Sequence, residues 1–334
     1  MTIDEQTRAS PLTHESGEVS EVRTSSRATD FGIGLPPPPP VVVPSPPVTW
    51  GPGTLVGALR TAGAWTLLLL LSAGLICYPV GPLFASREQV ARTDELRLAV
   101  GQAYGAAHDS LEGADPVTRA PAPGSTVALL QLPRLAAQQA VAEGATSQIT
   151  RGGVSHVPGT AGPGQPGNAV FVGRRSAFGG PFGGLADVHV GDQIICITTQ
   201  GQTSYVVTQV TRGAISDAVY NPSEGDQLTL VTSDSVLPWN TTSGVVVTGQ
   251  LQSAPFVPTP QNGYAPETDG RHADASAWPL VVLELLVLGG VVTATMVLYR
   301  RWSRSMTFVV TTPALVALTI FTSLTASRLL PGWF

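Results

Sequence analysis

Two apolar, strand-like segments end on side chains with chemical potential: Phe171-Val172-Gly173-Arg174-Arg175-Ser176 and Leu228-Thr229-Leu230-Val231-Thr232-Ser233. A serine such as Ser233 becomes a nucleophile only beside a strong base, because a hydroxyl titrates far above a thiol. Arg174 is no such base, since a guanidinium stays protonated in proteins and only donates hydrogen bonds. Asp234 is the nearest carboxylate in sequence, but neighbours on a strand point to opposite faces, which places it badly for deprotonating Ser233. His156 is the other candidate base. A fixed guanidinium is suited to gripping a carboxylate or phosphate through two parallel hydrogen bonds. Arg174, with Arg175 beside it on the opposite face, is therefore a candidate ligand-binding group; the alternative leaves Arg174 paired with Asp234 or open to water.

The segments around these residues resemble the sortases, specifically the actinobacterial, class E-like kind, over about Ser125 to Leu251. Gly153-Val154-Ser155-His156-Val157-Pro158-Gly159-Thr160-Ala161 and Pro163-Gly164-Gln165-Pro166-Gly167-Asn168 resemble the family's loop into its catalytic strand. Gly173-Arg174-Arg175, then Phe178-Gly179-Gly180-Pro181-Phe182 and Leu185, stand where sortases carry Gly-His-Arg and a loop ending Pro-Phe. Val190-Gly191-Asp192 with Ile194, and Tyr205-Val206-Val207, are similar to the strand pair that walls the family's groove. Thr229-Leu230-Val231-Thr232 should lead into a cysteine and leads into Ser233-Asp234.

The resemblance implies transpeptidation, in which a cysteine thiolate attacks a threonyl carbonyl, a histidine carries the proton and an arginine holds the oxyanion. Here the histidine position is Arg174, the cysteine position Ser233, and the arginine position falls at or near Gly244. All three roles are vacant, so no catalytic residue is expected. The resemblance also places a non-catalytic histidine in the loop that holds His156. The former groove, with Arg174, Arg175, Ser233, Asp234, His156, Phe178 and Phe182, is expected to bind rather than react.

Elements able to position these residues are strands. Apolar alternation over Val127 to Leu130, Ala169 to Gly173, Gln193 to Thr199, Ser204 to Val210, Gln227 to Thr232 and Gly244 to Leu251, parted by Gly and Pro turns, predicts short strands. The expected fold is mostly β: a closed sortase-like β-barrel of roughly seven or eight strands over residues 124–252, plus three transmembrane α-helices.

The chain of 334 residues has 12% charged and 43% hydrophobic residues, and all 18 of its basic residues are arginine. A net charge of −5 without a basic face excludes a nucleic-acid partner. Nothing calls for a cofactor or metal. Cys77 lies in an apolar helix and Cys196 in the strand Gln193 to Thr198, in different compartments, so no disulfide is expected. Cys196 is read as a buried strand residue.

The apolar run Trp65 to Phe84, within residues 62–84, is long enough at about 1.5 Å per residue to cross roughly 30 Å of hydrocarbon. Residues 278–299 and 306–326 are two further spans. Arg300, Arg301 and Arg304 between them place that loop in the cytosol. Counting outward, the Pro-rich tail of residues 1–60 is cytosolic and disordered, and the barrel is extracytoplasmic. Residues 86–123 form a stalk helix and linker, and residues 253–277 a flexible tether.

Trp278, Tyr299, Trp302 and Trp333 read as interfacial aromatics. Glu284 is costly facing lipid and is expected to turn toward a partner or water, and Gly289 and Gly290 make a small-residue face for helix packing.

The resulting expectation is a plasma-membrane, multi-pass pseudoenzyme of an actinobacterial cell envelope, a binding or scaffold subunit with integral-membrane protein partners. A cell-wall peptide or lipid headgroup is the candidate ligand. The alternatives are an acyl transferase, transpeptidase or hydrolase using Ser233, and a sensor that signals through the Pro-rich tail.

Overall fold

A computed structural model describes residues 67, 81–109, 119–223, 225–235, 242–265, 269–301 and 304–333. The expected first span over residues 62–84, the tail of residues 1–60 and Cys77 lie largely or wholly outside these residues.

Eight strands close into one barrel: β1 (Thr126–Leu132), β2 (Ala137–Glu143), β3 (Val154–His156), β4 (Asn168–Val172), β5 (Gln193–Thr198), β6 (Gly201–Ala214), β7 (Gln227–Ser233) and β8 (Ser243–Leu251). Their order around the barrel is β1-β2-β3-β4-β7-β8-β6-β5. Two pairings are parallel, β2 with β3 and β4 with β7, and the rest are antiparallel. Closure pairs each strand with two neighbours, although β3 covers only Val141–Glu143 of β2.

Every residue of β4 is buried, as are six of the seven in β7. A parallel pair reads as a continuous apolar run because both of its faces are covered. The inner face belongs to the barrel core, with Phe171, Leu228 and Leu230 packed against Ile194, Tyr205 and Val247. Covering the outer face falls to segments beyond the barrel.

Cys196 sits in that core, fully buried, and burial pushes its thiol well above the ordinary range. It is expected to resist a thiol reagent in the folded chain and to react within minutes on denaturation, as read by mass spectrometry. Rapid labelling of the native protein would place it elsewhere.

Three long helices lie among the described residues. Helix α1 spans Gly81–Asp109, α2 Trp278–Arg301 and α3 Arg304–Ala326. The stalk expectation is corrected, because α1 lies on the barrel wall. Leu96 packs against Leu129 and Ala140. The Gln89 amide stands in for a missing strand neighbour, donating to Ala140 O at 3.1 Å and Gly152 O at 2.6 Å and accepting from Ala140 N at 2.7 Å. Val90 and Leu98 of the same helix are exposed.

The tether expectation is corrected as well. Residues 252–265 strap the barrel: Phe256 N donates to Gly164 O at 2.7 Å, Thr259 N to Gln165 Oε1 at 3.0 Å, and Asn262 Nδ2 to Glu143 Oε1 at 2.8 Å. Gly159, at φ +83°, leaves no room for a side chain beneath Tyr264. A polar, proline-bearing segment reads as a loose linker, yet its backbone finds partners on a surface that sequence alone does not display.

Helices α2 and α3 are long and apolar enough to cross a bilayer. Most of their apolar residues, such as Leu283, Leu286, Val309 and Phe321, are exposed within the chain, as lipid-facing residues are. Glu284 accepts a hydrogen bond from Thr325 Oγ1 at 2.9 Å across the hairpin. Gly289 and Gly290 face open space.

Candidate functional site

The parallel register of β4 with β7 pairs Val172 with Val231. Carrying it two residues further sets Arg174 level with Ser233, and Ser233 is itself paired with Gly244 of β8. Arg174, Ser233 and Gly244 are therefore neighbours at one end of the barrel, held by Gly173 N to Val231 O at 3.1 Å and Thr232 Oγ1 to Gly173 O at 2.8 Å. By strand alternation Arg174 and Ser233 share the outer face with Val172 and Val231.

Arg174 has no exposed surface. Its Nη2 donates to Ser147 O at 2.8 Å and Ser147 Oγ at 3.0 Å, and its guanidinium lies 5.1 Å from the centroid of the Phe178 ring. Ser147 Oγ in turn donates to Ser327 O at 3.1 Å, just past the end of α3. Arg151 Nη1 donates to Leu324 O at 3.3 Å, and Asp274 N to Arg328 O at 3.0 Å. The last carbonyls of a helix lack intrahelical donors; here barrel and strap residues supply them, and a cation suits that negative end of the dipole.

Ser233 is equally enclosed. Its hydroxyl donates to Ser235 O at 3.2 Å and accepts from Ser235 N at 3.2 Å, a local turn without a base among the described residues. Asp234 points elsewhere and accepts from Ser243 Oγ at 2.7 Å. Arg175 Nη1 donates to Ser233 O at 3.3 Å.

His156 ends β3 with both ring nitrogens engaged. Nδ1 lies 2.7 Å from Glu143 Oε2, and Nε2 lies 2.9 Å from Ala161 O. Thr160 Oγ1 also lies 3.0 Å from Nε2. Both ring nitrogens are thus held by neighbours of β3, and Ser233 is not among their partners. The pair borders a cavity of about 150 Å³ also lined by Gln165, Thr198, Gln200 and Gln261.

Phe178 adopts φ +54°, a left-handed conformation rare for a bulky residue, and packs with Ala85 and Leu330. Phe182, expected in the groove, lies in the barrel core against Gly173. Its ring fills the space that glycine leaves.

Trp333, expected at a membrane interface, is fully buried with Val170, Val172 and Val231. This corrects the interfacial reading. Gly244 confirms how full the site is: a Cβ there would collide with Thr232 O, come within 2.5 Å of Ile215 Cδ1 and within 3.1 Å of Trp333.

Glu143, Ser147 and Trp333 are the residues that sequence reasoning missed. Glu143 had a legible signal, a lone carboxylate ending the apolar run Val141-Ala142. Ser147 had none.

Beside this end of the barrel, Arg271 bridges Asp217 at 2.6 Å and Asp269 at 2.7 Å and lies over the Tyr220 ring. Burial first, then Asp269, pushes the Tyr220 hydroxyl above its usual range. Asp274 is held below the usual carboxylate value, chiefly by the Ser276 hydroxyl and further by Arg328.

Residues 130–252 match the family model of the sortase domain. Similar solved structures include a sortase D5 transpeptidase of Clostridium perfringens, 19% identical over 50% of this chain and 99% of that one, with a TM-score of 0.41. Sortase E of Streptomyces avermitilis is 26% identical over 40% of this chain and 91% of that one, with a TM-score of 0.36. Sortase E1 of Streptomyces coelicolor, solved with a tripeptide in its active site, is 26% identical over 42% of this chain and 94% of that one, with a TM-score of 0.36. No curated protein matches the chain. The eight-stranded barrel of this chain is a sortase-like domain.

Proposed function

We propose that the protein is a non-catalytic relative of the actinobacterial, class E-like sortases, and that its barrel serves as an extracytoplasmic binding or scaffold domain of a cell-envelope membrane complex. The observation that carries this reading is the fate of the former catalytic positions. The Arg174 guanidinium is enclosed and donates to Ser147, and among the described residues the Ser233 hydroxyl pairs with the backbone of Ser235. A permanent cation beside an unactivated hydroxyl has no means of moving a proton.

Three spans, over residues 62–84, 278–299 and 306–326, anchor the chain in the plasma membrane with the N-terminus in the cytosol. The supports are the two apolar helices and the arginines between them. Exposed apolar helix surface and the outward Gly289 and Gly290 suit an integral-membrane protein partner. The arginine-only, Ala/Gly/Pro-heavy composition suits an actinobacterial source.

A fluorophosphonate probe tests the chemistry. No adduct is expected on Ser233 in the folded protein, and labelling that disappears in Ser233→Ala would establish the serine-enzyme alternative instead. Gentle solubilisation of native membranes tests the scaffold role: the chain is expected within a larger complex, and recovery as a lone monomer would count against it.

A further inference from the structure

The hairpin of α2 and α3 holds a single carboxylate and no basic partner for it. Glu284 is the one charged residue between Trp278 and Leu298, and residues 305–327 hold none. At about 1.5 Å per residue it lies roughly 9 Å along α2 from Trp278, inside the apolar part of the span. Val281 and Leu288 are buried residues of α2, and Glu284 stands between them on the same face, turned to α3. Arg328, the first arginine past α3, is engaged with Asp274 Oδ2 at 3.0 Å.

The hydroxyls opposite Glu284 differ from others in the hairpin. Thr293, Thr295, Thr311 and Thr319 each donate to the carbonyl four residues back, at 2.8, 2.7, 2.8 and 2.7 Å. Thr325 instead donates to Glu284 Oε1 at 2.9 Å. Thr322, one turn deeper on that face of α3 and 4% exposed, has a buried hydroxyl with no hydrogen-bond partner, and Glu284 Oε2 is likewise buried without one. Two orphaned oxygens on facing helices call for a common partner, because an ionised carboxylate out of water is costly unless its charge is met.

We propose that Glu284, Thr322 and Thr325 form a binding site for one monovalent cation inside the membrane hairpin. The donors are all oxygen, which suits a hard cation, and they carry one negative charge. A cation of charge +1 leaves the hairpin neutral, whereas a divalent ion would leave a net charge in hydrocarbon. A proton competes for the same carboxylate, so proton and cation exclude each other. The turn that supplies Thr325 also offers Leu324 O to Arg151 Nη1 at 3.3 Å and Ser327 O to Ser147 Oγ at 3.1 Å, which ties the site to the barrel. The inference goes beyond the barrel's role and rests on α2 and α3 lying in the bilayer.

Dicyclohexylcarbodiimide, which attaches to protonated carboxyl groups in apolar surroundings, provides the test on the intact chain in nanodiscs. Glu284 is expected to be modified in choline chloride, as read by mass spectrometry, and sodium chloride at the same ionic strength to slow the reaction roughly tenfold or more. Thr322→Val, which keeps the shape and removes the oxygen, should react as fast in sodium as in choline. Modification that sodium does not slow leaves the carboxyl with a proton only and overturns the inference, as does equal protection of Thr322→Val.

Should the reagent not reach Glu284, melting decides. Sodium in place of choline is expected to raise the midpoint of the parent by about 3 °C or more and to leave Glu284→Gln unmoved. No rise, or the same rise in both, overturns the inference. A water-soluble carbodiimide that modifies Glu284 as fast as the hydrophobic one would place the helix outside the bilayer and overturn the site together with the membrane reading. A Ser233 adduct would sink the non-catalytic reading and leave the sodium effect in place, so the failures are separable.

Discussion

Replacing Arg174 with alanine is expected to destabilise the barrel by about 2–4 kcal/mol, because hydrogen bonds from a charged donor contribute roughly 1.5–3 kcal/mol and the long side chain also fills space. The variant removes both bonds to Ser147 and the contact with Phe178, in a place that water does not reach. Ser147 then holds Ser327 O with nothing behind it, so the loss should spread to the end of α3. Thermal unfolding in detergent is the measurement, and a fall of roughly 4–16 °C is expected for a domain of this size. Arg174→His, which puts back the residue that sortases carry, should lose nearly as much, because an imidazole is too short to bind Ser147 as the guanidinium does. A variant melting within a degree of the parent would mean that the guanidinium is not a structural part and would favour its use on a ligand.

Gly244→Arg is expected to drive the C-terminal segment out of its groove. Even a methyl group at this position meets the Thr232 carbonyl, Ile215 and the Trp333 ring. Overpacking of this kind costs about 1–3 kcal/mol for small additions, and a full arginine exceeds what local repacking can absorb. The outcome to read is the fate of the tail. Hydrogen exchange at the Gly332 and Trp333 amides should be fast in the variant and slow in the parent, with melting lowered as well. Equal exchange rates would show that position 244 and Trp333 do not compete for the same space. Gly244 and Trp333 thus share one space at this end of the barrel.

Much of the barrel was legible from alternation and turn residues. Ala169 to Gly173, Gln193 to Thr199, Gln227 to Thr232 and Gly244 to Leu251 come within a residue or two of the observed strands. Ala137–Glu143 was not legible, since its alanines and glutamines carry no strand preference and it forms through its neighbours β1 and β3. Val154–His156 is too short to show a period. The opposed faces of Ser233 and Asp234 followed from the two-residue repeat alone, and the structure gives Asp234 to Ser243.

The sequence by itself determined which side chains meet at this end of the barrel: an arginine, which only donates hydrogen bonds, a serine and a glycine. Only the tertiary structure decided what those residues do instead. Burial, the link from Arg174 through Ser147 to the end of α3, and the seating of Trp333 on Val170, Val172 and Val231 depend on bringing together segments more than 150 residues apart in the case of Arg174 and Trp333. Local patterns carry no information about such contacts, which exist only once the closed barrel has created a surface for a distant tail to cover.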